Sequence, residues 1–141
     1  MNATLIQVEV VIPTQTKYLD LIGSIGERIA HELNGYTGDC EALAYQLNLV
    51  LTEATANVIK HAQGDDPKNT VKISIQLQEC ALIIKVYDHG QGFDLEKVPL
   101  PDFDHPAESG MGLFLIRSMM DSVTYTRLAE GNVLEIIKYL K

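Results

Sequence analysis

The sequence has no tryptophan, two cysteines and only 6% aromatic residues. Cys40 and Cys80 form no C-x-x-C pair, and His31, His61, His89 and His105 lack zinc-ligand spacing, so neither a disulfide framework nor a metal cage is expected. A reducing cytoplasm fits that usage. Long apolar runs are missing as well: the longest, Cys80 to Ile84, spans five residues, against the ~20 that cross a bilayer. No basic region precedes the first apolar stretch, so a cleaved signal is not expected either. Positive charge is scarce. With 11 Lys and Arg against 19 Asp and Glu, the net charge of −8 argues against direct binding of nucleic-acid phosphates. What remains is core material: 46% hydrophobic residues in a length of 141 that suits one domain, residues 1–141.

Leu5 to Ile12 is rich in β-branched residues and stops at Pro13, as an opening strand would, and Thr14 offers an N-cap for a helix running to about Asn34. Thr37-Gly38-Asp39 starts a second, longer helix reaching about Ala62, with Leu43, Leu47, Val50, Ala54 and Val58 at helical spacing. Val71, Ile73, Ile75 and Leu77 then alternate with polar residues as in a half-buried strand, and Ala81 to Asp88 returns as its antiparallel partner. From Gly90 to Gly110, acidic residues and three prolines without apolar period predict a long loop, a length usual for lids and binding elements. A short helix from Gly112 and two strands, Ser122 to Leu128 and Val133 to Leu140, complete the chain. This order predicts an α+β fold: a two-layer sandwich of a mostly antiparallel, mixed sheet with about three helices on one face.

Three features stand apart. Glu53 and Asn57, four residues apart, project from one side of the long helix, where they either belong to a solvated face or sit in a wet cleft. Asp88 shares the apolar strand face of Leu82, Ile84 and Val86; it either caps the following turn or takes a donor from a ligand that Gly90 and Gly92 let approach. Ser109-Gly110-Met111-Gly112 leads into the last helix, and reads as a hinge or as a cradle of backbone N–H groups for phosphate oxygens. Together they describe a nucleotide pocket.

E-x-x-x-N followed by His-Ala, then D-x-G-x-G-F-D, then G-M-G-L, resembles the N, G1 and G2 boxes of the GHKL ATPases in the family's order. The stretch from Gly110 to Asp121 and the small size resemble the anti-sigma-factor serine kinases of that superfamily, and the likeness covers nearly the whole chain. The resemblance implies the Bergerat fold, ATP and Mg²⁺ as cofactors, Glu53 as the general base and Asn57 as the Mg²⁺ ligand. It implies adenine recognition by Asp88, close approach of the base at Gly90 and Gly92, and phosphate contacts from Gly110, Met111, Gly112 and Leu113, with Lys60 and His61 completing the binding set. Two positions depart from the pattern: Glu108 stands where related kinases often carry arginine, leaving Lys60, Arg117 or no residue as the substitute cation, and Gly131-Asn132 stands where many have Gly-Thr beside the adenine aspartate.

The function so implied is phosphorylation of an anti-anti-sigma protein and control of a sigma factor by partner switching, by a homodimer with no nucleic-acid or membrane contact. The alternative is a partner-switching module that binds nucleotide but transfers little or no phosphate. A detached histidine-kinase catalytic domain is the weaker third reading, since 141 residues leave no expected room for an acceptor helix pair.

Overall fold

A computed structural model describes residues 4–33, 36–61, 69–88, 111–129 and 131–140. Strand β1 (Thr4–Pro13) leads through a single 3₁₀ turn (Thr16–Tyr18) into helix α1 (Leu19–His31). Helix α2 (Cys40–His61), strands β2 (Thr70–Gln78) and β3 (Ala81–Asp88), helix α3 (Met111–Met119), and strands β4 (Ser122–Leu128) and β5 (Gly131–Tyr139) follow. The expected α+β class is met. The five strands form one sheet in the order β1-β2-β3-β5-β4.

Two local expectations are corrected. All four strand pairings are antiparallel, so among the described residues the sheet is not mixed. Thr14 does not cap a helix: its hydroxyl and its backbone N–H both donate to the Asn69 carbonyl, at 3.5 and 3.2 Å, which ties the end of β1 to the approach of β2. With that side chain engaged, α1 begins later, at Leu19, without a side-chain cap. The helix also ends earlier than the expected Asn34, at His31, and the long loop expected from Gly90 to Gly110 lies outside the described residues.

α2 starts where its sequence signal stands. Asp39 Oδ1 accepts from the backbone N–H groups of Glu41 (3.0 Å) and Ala42 (3.2 Å), satisfying two of the donors that a helix start leaves without partners. α1 lies close against α2 because Gly23 and Gly26 face it; a Cβ on Gly26 would come within 3.1 Å of the Leu47 carbonyl oxygen. Leu43, Leu47, Leu51, Ala54 and Val58 of α2, with Leu113 and Ile116 of α3, bury against one face of the sheet.

That sheet face is built in rows across the strands. Ile75, Ile84, Ile136 and Val123 lie opposite one another, and the next row is Ile73, Val86, Leu134 and Tyr125. One further step along, the row becomes Asp88, Asn132 and Arg127, so the apolar face ends in polar side chains at one edge. The opposite face mixes polar and apolar side chains: Lys85 Nζ lies 3.7 Å from Glu135 Oε2, Lys72 Nζ stands 4.5 Å from the Tyr87 ring centroid, and Ile83 lies opposite Ile137. No helix among the described residues is long and apolar enough to cross a membrane.

Candidate active site

Glu53 and Asn57 occupy the flank of α2 between its buried stripe and solvent, and both are half-buried. The Glu53 carboxylate lies directly against Gly112 in the first turn of α3: a Cβ at Gly112 would fall 3.2 Å from Glu53 Cδ and closer still to Oε2. Glycine at this position therefore makes room for the carboxylate. Met111, Gly112 and Leu113 open α3, and their backbone N–H groups have no acceptor within the helix, which leaves the positive end of its dipole beside Glu53.

The Asn57 amide nitrogen is buried and has no hydrogen-bond partner among the described residues. Leaving such a donor without an acceptor costs roughly 1 to 3 kcal/mol, a cost that a polar ligand removes. The two ends of an amide exchange by a half-turn of the side chain, so Asn57 can present oxygen to a cation or nitrogen to a phosphate. Among the described residues no group of three or more His, Cys, Asp or Glu gathers as a metal cage. Mg²⁺ binds through one or two protein groups and completes its shell with phosphate oxygens and water, so a single amide is enough of a protein ligand for it. The residues present fit such an ion, which Asn57 would hold.

Asp88 ends β3 and pairs across the strands with Asn132, the second residue of β5. The two side chains are 4% and 3% exposed, and Asn132 Nδ2 donates to Asp88 Oδ1 at 3.1 Å. This contact answers part of the need for a donor that a carboxylate on an apolar face creates. β5 starts at Gly131, two residues earlier than its sequence pattern suggests, and that extension brings Asn132 into the ladder.

The remaining expected residues fall out as follows. Lys60 is exposed on the last turn of α2, and His61 is the final residue of that helix. Leu113 is 4% exposed and its side chain belongs to the core, so only its backbone is available to a ligand. Arg117 is exposed on α3. Gly90, Gly92, Gly110 and Glu108 lie outside the described residues. The structure thus joins Glu53 to the start of α3, and Asp88 to Asn132. Both contacts go beyond the sequence motifs, which single out Asn132 as a departure and Gly112 as a phosphate contact. An open cavity of about 490 Å³, lined by Tyr36, Thr37, Gly38, Asp121, Lys138 and Tyr139, sits at the far end of β5 from Asn132 and shares none of these residues.

Residues 19–138 match the family described as histidine kinase-like ATPase domain. An anti-sigma F factor of Anoxybacillus flavithermus is 33% identical over 100 residues, covering 67% of this chain and 68% of that protein. The serine-protein kinase RsbW of Halalkalibacterium halodurans is 30% identical over 145 residues, covering 95% and 83%. Among solved structures, the histidine kinase domain of the blue-light activated histidine kinase EL346 of Erythrobacter litoralis superposes with a TM-score of 0.54 at 22% identity. That likeness of fold covers 92% of this chain, which spans 62% of that kinase domain.

Proposed function

The chain belongs to the histidine kinase-like ATPase family, in its anti-sigma-factor kinase branch, and from that premise we propose that it phosphorylates a serine of an anti-anti-sigma protein. In this reading the phosphoryl donor is Mg-ATP, and the chain, as a homodimer, holds a sigma factor until its partners exchange. The observation that carries the proposal is the Glu53 carboxylate set against the amino-terminal turn of α3, with the Asn57 amide one helical turn away. Glu53 takes the proton from the serine hydroxyl as its oxygen attacks the γ-phosphorus; the bond from that phosphorus to the bridging oxygen breaks, and ADP leaves. Mg²⁺, when bound, offsets charge on the phosphates. The N–H groups of Met111, Gly112 and Leu113 point where phosphate oxygens gain from a helix start. Asp88 accepts from the adenine amino group.

The proposal is tested by incubating the chain with Mg-ATP and a co-encoded small acceptor protein and mapping the phosphate. Phosphoserine on the acceptor supports it; phosphohistidine would favour a histidine-kinase reading. One feature, Glu108 in place of an arginine, favours the alternative of a nucleotide-dependent binding module.

Two variants probe the parts separately. Asn57→Ala is expected to weaken Mg-ATP binding roughly tenfold, equivalent to about 1.4 kcal/mol, while binding of ATP in excess chelator changes little. Titration calorimetry with and without Mg²⁺ decides it, and equal losses in both would remove the metal assignment. Gly112→Ala adds a methyl group where the Glu53 carboxylate now lies, and a flexible side-chain end can swing aside. The fold should therefore survive while displacement of the carboxylate slows transfer roughly tenfold, since misplacements near 1 Å cost up to ~10². An unchanged single-turnover rate would show that the contact with Gly112 does not set the position of Glu53 in the reacting state.

A further inference from the structure

The open cavity at the end of β5 away from Asn132 takes no part in the site described above, and its walls come from three separate stretches of chain. Tyr36, Thr37 and Gly38 precede α2, Asp121 follows α3, and Lys138 and Tyr139 belong to β5. Its volume of about 490 Å³ is that of a small-ligand site. The ionic groups that line it are held in place but not neutralised. Asp121 Oδ2 accepts from the Tyr139 backbone N–H at 2.7 Å, and the Asp121 backbone N–H donates to the Ile137 carbonyl at 2.9 Å. Lys138 is half-buried and its Nζ donates at 3.4 Å to the carbonyl of Met119, the last residue of α3, where a cation also suits the negative end of the helix dipole. The Lys138 ammonium and the Asp121 carboxylate nevertheless form no ion pair with each other, nor with any other charged group among the described residues. Tyr36 is anchored as well: it packs on the core and lies so close over Gly38 that a Cβ there would have no room.

The geometry points to this cavity as a binding site for a small zwitterion, an α-amino acid with a large apolar side chain. An ammonium has three donors and a carboxylate several acceptor positions, so both Lys138 and Asp121 keep hydrogen-bonding capacity after the contacts above. The ligand's carboxylate meets the Lys138 ammonium, its ammonium meets the Asp121 carboxylate, and its side chain lies along Tyr36. A ligand with one charge leaves one of the two protein groups unmatched. With a net charge of −8, the chain also repels a ligand recognised through negative charge alone. A protein segment brings neither charge, because its amino and carboxyl groups are tied up in peptide bonds. Since the protein's own groups are already fixed, binding costs little further ordering. No residue of the nucleotide site takes part, so the inference stands apart from phosphate transfer.

The test titrates the full chain with L-phenylalanine and follows its backbone amides by two-dimensional NMR. Shifts are expected at Gly38, Asp121, Lys138 and Tyr139; no shifts at millimolar ligand, or shifts confined to Asp88 and Asn132, would overturn the assignment. Phenylpropionate lacks the ammonium and phenethylamine lacks the carboxylate, and each is expected to bind roughly tenfold more weakly than phenylalanine, the scale of one hydrogen bond to a charged group. Phenylalanine blocked at both ends carries the side chain without either charge; if it binds as tightly as free phenylalanine, the cavity takes a protein side chain and the zwitterion assignment falls. Two variants remove the charges singly. D121N keeps an oxygen that can accept from the Tyr139 N–H, and K138Q keeps a side-chain N–H donor. D121N is expected to lose phenylalanine roughly tenfold without losing phenylpropionate, and K138Q to lose phenylalanine to a similar degree without losing phenethylamine. A merely structural role for either residue would weaken all three probes together, which would overturn the inference. Should a variant fail to fold, the three analogues on the parent chain decide alone.

Discussion

Glu53→Ala is expected to bind Mg-ATP and its protein partner about as tightly as the parent, yet to transfer phosphate ~10² to 10⁴ times more slowly. The reason is where Glu53 acts in the proposed mechanism. A general base contributes when the proton moves, which happens in the transition state, so its loss appears in the rate and not in ground-state affinity. Glu53→Gln provides the control for shape, because it fills the same space beside Gly112 and cannot take the proton. Both variants should be slow in single-turnover assays while their calorimetric affinities stay near the parental value. Fast transfer by Glu53→Gln would remove the general-base role and leave Glu53 as a packing partner of α3.

Asp88→Asn should cost ATP affinity by roughly ten- to a hundredfold, since hydrogen bonds to charged groups are worth about 1.5 to 3 kcal/mol. The substituted amide can present a donor where the adenine amino group also donates, and it faces the amide of Asn132 in place of a charged acceptor. The loss should appear with ATP and ADP alike, because the proposed contact is to the base and not to the γ-phosphate. Calorimetry with both nucleotides checks this. A variant that loses ATP but keeps ADP would place Asp88 nearer the phosphates than the adenine assignment allows.

Much of the fold was legible because hydrophobic periodicity reports directly on burial. The alternation from Val71 to Leu77 marks the buried face of β2, and Asp39 marks the start of α2 through hydrogen bonds that need only neighbouring residues. Thr14 failed as a cap because its hydroxyl is used by a partner 55 residues away, a competition that no local pattern records. The site divides in the same manner. Glu53 with Asn57 is a spacing within one helix, visible in the sequence. The opposition of Asp88 and Asn132 depends on β3 pairing with β5, strands separated in the chain by α3 and β4, and on β5 beginning at Gly131. The contact between Glu53 and Gly112 likewise joins two helices far apart in sequence. Motif order names candidate residues; only the sheet register and the packing of α2 on α3 show which of them touch.

The most direct measurement is a time course with ATP labelled at the γ-phosphate, purified parent chain and the co-encoded acceptor protein, with label on each protein counted separately. Label should accumulate on a serine of the acceptor until that protein is consumed, with none retained on the chain itself. Partner binding that changes with nucleotide while the acceptor stays unlabelled would contradict it, and would make the chain a nucleotide-gated binding module.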